Sequence, residues 1–586
     1  MRLFAAVLLS MSIAAMPLLA RNAGETGKED TPAAASSASS VPDKPTAVKP
    51  EATAIESEMQ DLRSLVEEQR AELESQRAAL KAQQLKMEAL EEKLGATPGE
   101  PVATPSAIAP VVSTVAPISS AAVTPATPAA EPPQKGNDEV SPLQFKIGSA
   151  YVTPVGFLDF TGVFRSKVGG SGIGTNFGSI PYLLPNAFQG NLSELRESMQ
   201  NSRIGFRIDA MVHDAHVIGY MESDFLGNNP GNVAVTSNSN TLRSRLYWVD
   251  VRRGSWEMLG GQTWSLITPG RNGISPLPGD LFYSQDIDVN YQAGLFWGRI
   301  PELRFVYHAP SDKAAFAVAL ESPEQYIGGS GGGGTITLPS GLTSILGAPG
   351  ATNAQFNSGS TTLNVPNLSP DIIAKLAIEP TKRFHLEIGG IERQFKDYVL
   401  ISGAGQTNVK TGGGGFFNAN VELFKGFRVL TNNFIGDGIG RYIFGLAPDV
   451  IVRPDGTISP IKAGSTVSGI EFTHKNTFLY AYYGGVYIEP NFSIDTTSSA
   501  TPKPLIGYGY AGSSNSQNRA IQEETIGFNQ TLWKDAKYGA LNFMGQYSYL
   551  ARNPWAVGTG GEDAHLNMVF LNLRYTLPGS TPTLGK

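Results

Sequence analysis

The sequence predicts an all-β transmembrane barrel of about sixteen antiparallel strands, preceded by an N-terminal α-helical coiled coil. Three observations lead there: strands whose polar and apolar faces separate, connections that alternate between short and long, and an N-terminal export signal. The face separation is plainest between Asn201 and Trp264. In the run from Ser202 to Asp209, a two-residue period sets Arg203, Gly205, Arg207 and Asp209 against Ile204, Phe206 and Ile208. After the polar break His213-Asp214, the run from Val217 to Phe225 sets Glu222 and Asp224 against Val217, Gly219, Met221 and Phe225, so the pair reads as a hairpin. Farther on, Arg243 and Arg245 stand against Leu242, Leu246 and Trp248. In a soluble sandwich the apolar face would be the core. In a membrane barrel it meets lipid, and the charged face lines the lumen.

The amino terminus argues for export. Arg2 is followed by an apolar run from Leu3 to Ala15 and then by small residues ending in Leu18-Leu19-Ala20, so residues 1–20 read as a secretory signal cleaved after Ala20. The run is too short to span a bilayer comfortably as a helix. Cysteine is absent, which excludes a disulfide framework, a thiolate metal site and a cysteine nucleophile. With 65 glycines, 9% aromatic and 17% charged residues, the composition is that of a glycine- and aromatic-rich all-β chain. A net charge of -7 argues against a nucleic-acid partner.

Residues 21–54 are Ala, Ser, Pro and charge without period, and read as disordered. Residues 55–95 carry a heptad seam: Ile55, Met59, Leu62, Val66, Gln69, Leu73, Gln76, Leu80, Gln83, Met87, Leu90 and Leu94, flanked by Glu, Arg and Lys. That spacing predicts a left-handed coiled-coil stalk roughly 60 Å long, with a solitary charged helix as the alternative. Gln69, Gln76 and Gln83 hold the same core register in successive heptads, which trades packing for a specific register. Gly95 and Pro98 end the helix, and residues 96–142, rich in Pro, Ala, Val and Thr, form a semi-rigid spacer.

Residues 143–586 form the barrel domain. Strands are expected near 155–165, 200–210, 216–225, 241–251, 255–264, 301–308, 313–320, 371–379, 382–393, 416–425, 427–435, 465–474, 477–488, 520–531, 538–550 and 564–577. Breaks at His213-Asp214, Arg252-Gly254, Pro310-Asp312, Pro380-Thr381, Lys425-Gly426, Lys475-Asn476 and Lys534-Asp535 are short and polar. Between them fall long Gly-, Ser-, Asn- and Thr-rich segments such as Gly328 to Pro370. Short turns on one rim and long loops on the other mark an outer-membrane barrel, and one this wide leaves an aqueous lumen.

The succession Asn201-Ser202-Arg203-Ile204-Gly205-Phe206, Glu222-Ser223-Asp224-Phe225, Leu242-Arg243-Ser244-Arg245 and Gly260-Gly261-Gln262-Thr263-Trp264-Ser265 resembles the DcaP-like trimeric porins and, more distantly, the phosphate-selective porins. A periplasmic coiled coil ahead of the barrel is similar to that family's layout. The resemblance implies a passive, homotrimeric outer-membrane channel for small anionic solutes, with no cofactor. One departure is visible: barrels of the family end in a C-terminal aromatic assembly signal, whereas this chain runs past Tyr575 to Lys586.

Enzymatic spellings have plain explanations. Gly328-Gly329-Ser330-Gly331-Gly332 fits a nucleophile elbow but sits in a glycine run without strand-to-helix context. Gly507-Tyr508-Gly509-Tyr510-Ala511-Gly512 spells a dinucleotide fingerprint, yet Ser/Asn-rich sequence follows where a helix must begin. Asp286-Ile287-Asp288-Val289-Asn290 starts like a calcium loop but has Tyr291 and Trp297 at the glycine and glutamate positions. His213 and His216 lack a third ligand nearby, so no metal site is expected.

What remains is electrostatic. Arg203, Arg207, Arg243 and Arg245 are expected to line the pore and bind anions, because on the lipid face each would cost about 2–4 kcal/mol near the midplane. The long segment from Ser265 to Tyr291 carries Asp280, Asp286 and Asp288 and is expected to fold inward as a constriction loop, setting a transverse field against the arginines. In the alternative, the arginines pair with Asp209, Glu222 and Asp224 to brace the wall. Two other functions are weighed against a porin: a structural tether joining the outer membrane to the periplasm or cell wall through the coiled coil, and a barrel enzyme, for which the six histidines supply no recognisable acid-base pair.

An isolated peptide spanning residues 55–94 should sediment as a helical oligomer, a trimer if it matches the family's barrels. Replacing Gln69, Gln76 and Gln83 with Leu should stabilise the assembly while loosening its choice of oligomeric state. A peptide that stays monomeric at high micromolar concentration removes the stalk.

Overall fold

The computed structural model describes residues 142–578, apart from 170–171, 228–239, 282–284, 348–353, 359–364, 368, 402, 557–560 and 562–563. The export signal, the segment after it, the coiled coil and all but the end of the spacer lie outside the described residues. Among the described residues no helix is long and apolar enough to cross a membrane.

The strands are β1 (Phe145–Ile147), β2 (Ala150–Arg165), β3 (Glu194–Ser198), β4 (Arg203–Val212), β5 (Ala215–Asp224), β6 (Arg243–Arg253), β7 (Trp256–Trp264) and β8 (Arg299–His308). They continue as β9 (Ala314–Glu321), β10 (Asp371–Thr381), β11 (Phe384–Ile401), β12 (Ala404–Phe424), β13 (Phe427–Asp437), β14 (Val450–Val452) and β15 (Ile458–Pro460). The last are β16 (Lys462–His474), β17 (Thr477–Ile488), β18 (Asn491–Ile494), β19 (Leu505–Tyr508), β20 (Asn518–Asp535), β21 (Gly539–Pro554) and β22 (Ala564–Thr576). Sixteen of them form one closed antiparallel barrel, each paired with the next, and β22 returns to β2. The seam is shared along β2: its second half pairs with β22 from Phe157↔Thr576 to Arg165↔Met568, and its first half with β4 from Tyr151↔Asp209 to Phe157↔Arg203. Two short strands complete it. β1 takes up the start of β2 beyond the end of β22, and β3 continues the line of β4 along the second half of β2.

Side-chain burial decides between sandwich and membrane barrel. On β4, Phe206 is 42% exposed while Asp209 is 0% exposed. The same inversion runs round the wall, with Leu158, Phe305, Leu376, Ile470 and Leu571 pointing out and Asp159, Arg304, Lys375, Glu471 and Asn572 enclosed. In water, such an apolar exterior would cost about 25 cal/mol for each Å² left exposed, and lipid removes that cost.

Between successive strands of the sixteen, all the short connections but one fall on one rim, at His213-Asp214, Gly254-Ser255, 309–313, Lys382-Arg383, Lys425-Gly426, Lys475-Asn476 and 536–538. Gly426 illustrates the tightness: its φ is +82°, and a Cβ there would lie 2.3 Å from the Thr473 carbonyl oxygen. The exception lies on the opposite rim. The region 394–415 reads as a loop in sequence, yet β11 and β12 continue through it as a long hairpin closed at Ile401↔Ala404. Gly412 to Gly415 carry no side chains to alternate, so the two-residue period gives no signal there although the ladder is intact.

Strand β6 departs from strict alternation. Glu222 pairs with Leu246 but Ser223 with Ser244, so Arg245 is the extra residue of a bulge. The bulge reverses the face parity beyond it, and Leu246 and Trp248, expected opposite the arginines, point inward with Arg245.

The long loops on the other rim knit together through Phe177, Ile336, Leu342, Tyr442 and Ile451, all buried. Backbone bonds join them: Gly178 N to Gly331 O at 3.2 Å, Thr337 N to Gly507 O at 2.9 Å, and Asp449 N to Tyr326 O at 2.8 Å. The hairpins β14–β15 and β18–β19 lie within these loops. The glycine run is a packing seam, since a Cβ on Gly334 would meet the Ser516 carbonyl at 2.4 Å.

Thr496 and Ser514 are exposed on the long-loop rim. Because the chain has no competing thiol, Thr496→Cys and Ser514→Cys should be labelled from outside intact cells and Lys475→Cys should not. Labelling of Lys475→Cys from outside inverts the orientation.

Candidate functional site

The segment 265–298, between β7 and β8, folds into the barrel and reaches its far walls. It is held mainly by carboxylates on inward-facing strand positions. Ser265 Oγ and Leu266 N donate to Glu321 on β9 at 2.8 and 2.9 Å, and Gly273 N donates to Glu379 on β10 at 2.7 Å. Gly270 N donates to both oxygens of Glu387 on β11 at 3.1 Å, and Ala293 N to Glu523 on β20 at 2.8 Å. The Arg271 guanidinium meets Glu471 on β16 through two bonds of 3.0 and 2.7 Å. Ile287 N donates to Gln546 on β21, and Trp297 N to the Tyr442 carbonyl.

One end of this loop meets the arginines. Tyr291 has a left-handed φ of +66°, stabilised by its N–H donating to the Asp288 carbonyl at 3.0 Å. Its hydroxyl accepts long contacts from Arg203 Nη2 at 3.4 Å and Arg245 Nη2 at 3.5 Å. Trp264, Tyr291 and Trp297 pack together with ring centroids 5.4–6.1 Å apart. The Arg299 guanidinium lies over both indoles, 5.8 Å from Trp264 and 5.7 Å from Trp297, and its Nη1 has no hydrogen-bond partner among the described residues. Arg245 lies 6.0 Å from Trp264 on the same stack. Burial alone would raise the Tyr291 phenol, but the charges of Arg203, Arg245 and Arg299 outweigh it and hold the group below its ordinary value.

The acidic partners on the wall lie close. Arg245 Nε donates to Glu222 at 2.7 Å and its Nη1 to Asp224 at 2.6 Å. Arg243 grips Asp224 through bonds of 3.0 and 2.8 Å, and Arg203 stands 3.6 Å from Glu222. Arg207 binds Asp209 through two bonds of 2.8 Å, nearer the turn rim and apart from Tyr291. Tyr291 therefore stands among the guanidiniums of Arg203, Arg245 and Arg299, with Glu222 and Asp224 on the wall beside them, Arg243 bound to Asp224, and Asp286 and Asp288 in a cavity shared with Arg203.

The loop acids do not form one face opposite the arginines. Asp286 and Asp288 line a cavity of about 80 Å³ together with Arg203, Tyr291 and Arg574, and Asp280 lines a different cavity beside the turn rim. The single acidic face expected across the pore is therefore absent, since Asp280 lies apart from Asp286 and Asp288. Asp288 accepts bonds from Thr175 N at 3.3 Å and Asn290 N at 2.9 Å, and burial raises its carboxyl although Arg165 opposes the shift.

Sequence reasoning missed Arg299 and Arg574. Arg299 opens β8 with no alternation before it to reveal its face, though its neighbour Trp297 was a usable sign. Arg574 donates to Asp159 at 2.8 Å and lies 4.3 Å from the Phe157 ring, contacts that exist only because β22 closes on β2. His213 is exposed in its turn and His216 faces Asp209 at 3.3 Å. Among the described residues no group of three or more acids and histidines is arranged to hold a metal. No helix follows Gly512.

No protein-family model matches the sequence, and no curated protein matches it. Among solved structures, the chain is similar to the outer membrane channel DcaP of Acinetobacter baumannii, with a TM-score of 0.50 and 17% identity over 74% of this chain and 99% of that one. It also matches an anion-selective porin from Comamonas acidovorans (TM-score 0.38, 11% identity, 73% and 99% covered). OmpT of Vibrio cholerae gives a TM-score of 0.38 at 10% identity, with 74% and 99% covered. The likeness to DcaP establishes a shared barrel fold.

Ionising Tyr291 would add a negative charge among the guanidiniums. Anion preference, read as reversal potential in planar bilayers, should therefore fall as pH rises, in a step below the ordinary tyrosine range near pH 10. Tyr291→Phe should abolish that step. An identical alkaline step in the variant assigns it to another group.

Proposed function

We propose that this chain is an outer-membrane porin, assembled as a homotrimer, through which small anionic solutes of dicarboxylate or phosphate-like chemistry diffuse passively. The observation that carries this reading is Arg299, held over the indoles of Trp264 and Trp297 beside Arg203 and Arg245, with its Nη1 lacking a hydrogen-bond partner among the described residues where the inward-folded segment meets the wall. A guanidinium keeps its charge at any physiological pH and offers several donors to a carboxylate or phosphate, replacing part of the hydration an anion sheds in a narrow passage. Glu222 and Asp224 keep Arg245 and Arg243 in place and offset part of their charge, so an anion is attracted without being trapped. The shared fold with DcaP, itself described as an outer membrane channel, supports the reading, and no catalytic step belongs to it.

A second reading rests on the buried apolar contacts among the long loops. A barrel closed at that rim would serve as an anchor, with the coiled coil tethering the outer membrane to the periplasm or cell wall. Conductance separates the two, since an anchor would be silent.

Single-channel recordings of the full-length protein should show conducting steps that favour anions, and Arg243→Gln with Arg299→Gln should lower that preference. One unit charge at about 4 Å in water is worth about 1 kcal/mol, so the permeability ratio should change about fivefold for each charge removed. A silent barrel favours the anchor. An unchanged reversal potential in the double variant removes the cluster from selectivity.

A further inference from the structure

The cavity beside the turn rim has the opposite character to the arginine cluster. It measures about 340 Å³ and lies between β6, β7, β9 and β10 of the wall and residues 272–280 of the inward segment. Asp250, Glu257, Asp280 and Glu379 present carboxylates to it. Its one guanidinium, Arg252, is engaged with Asp312 at 2.9 Å. Two of these acids are buried without full satisfaction. Asp250 is 5% exposed, and its Oδ1 has no hydrogen-bond partner among the described residues. Glu257 is 8% exposed; its Oε2 contacts His308 Nε2 at 2.9 Å while its Oε1 has no partner there. Buried acceptors of this kind cost free energy unless a donor satisfies them.

From this arrangement we infer that the cavity binds the ammonium group of a small amine. An ammonium supplies several donors, which Asp250 Oδ1 and Glu257 Oε1 lack among the described residues, and adds a positive charge to those of Arg252 and Arg304 that already act on Asp250. Besides His216, Asn272, Ser275 and His308, the wall carries an apolar side, with Ile218, Ile274 and Leu277 positioned to receive a short alkyl chain. A bare metal ion would make no use of that apolar surface and would find no group of three ligands among the described residues. The volume is that of about ten waters, enough for a linear diamine and too small for a peptide. A carboxylate-rich cavity on one side of the inward segment and a guanidinium-rich cluster on the other would give the interior separate sites for cationic and anionic groups.

The test uses the full-length protein in detergent, with diaminopentane as the probe and titration calorimetry as the readout. One saturable site per chain is expected, with pentanoate giving no heat at it. Asp250→Asn and Glu257→Gln, which preserve shape, should each weaken diamine binding about tenfold. Ala315→Phe fills the cavity without removing a charge and should abolish binding, which keeps the test decisive should either acid prove necessary for folding. Asp455→Asn, on an exposed turn elsewhere, should bind as the parent does. Absence of saturable diamine binding overturns the assignment, as does binding that survives in all three cavity variants. Because binding is read without current, a silent barrel that still binds the diamine refutes conduction and leaves this site standing.

Discussion

The interior of this barrel depends on hydrogen bonds between strand carboxylates and the backbone amides of the segment that folds inward. A loop brought out of water carries unpaired N–H groups, and a strand that turns a glutamate inward carries an unpaired charge; either alone is costly. Glu321, Glu379, Glu387 and Glu523 bring the two needs together by accepting from Leu266, Gly273, Gly270 and Ala293. Hydrogen bonds to charged groups contribute about 1.5–3 kcal/mol each, and several along one segment fix its path across the lumen. Glu387 shows how such a charge is kept: Lys375 at 3.1 Å and Asn418 at 2.8 Å complete its shell. The same device ties down the long-loop rim, where the buried Arg393 joins Asp371 at 3.1 Å and Asp449 at 2.8 Å.

With that path fixed, the loop sorts charge along the interior. It carries Tyr291 and Trp297 to the arginines of β4, β6 and β8 and leaves Asp280 beside the acids of β6, β7 and β10. Neither cluster is a simple lining of like charges. Each arginine beside Glu222 or Asp224 is partly neutralised, so bracing of the wall and the proposed attraction of anions draw on one network rather than being rival roles. The aromatic stack of Trp264 and Trp297 holds the Arg299 guanidinium by its faces, which leaves Nη1 without a hydrogen-bond partner among the described residues while the group is kept in place.

Much of this was legible in the chain. The strands near 200–210 and 216–225 correspond to β4 and β5, and the polar breaks at His213-Asp214, Lys425-Gly426 and Lys475-Asn476 are turns of the short rim. Alternation works here because lipid outside and polar surroundings inside impose opposite demands on successive residues. It failed where that demand was not expressed. Arg245 is the extra residue of a bulge, which a period of two cannot represent, and Gly412 to Gly415 offer no side chains to read. Of the candidate residues, Arg203, Arg243 and Arg245 were found from their shared face, whereas Arg299 stands at a strand's first residue, outside any pattern.

By itself, then, the sequence determined the barrel class, the strand number, the gathering of the short turns on one rim, and the inward placement of Arg203, Glu222 and Asp224. These follow from local periods and from the high cost of charge in lipid, both of which are written residue by residue. Only the tertiary structure decided that Arg271 meets Glu471, that Arg574 joins Asp159 across the seam, and that Asp280 parts company with Asp286 and Asp288. Those pairings join residues up to hundreds of positions apart. They come into being when the sheet closes and the loop finds the carboxylates waiting on its inner wall, and no period along the chain encodes which wall that will be.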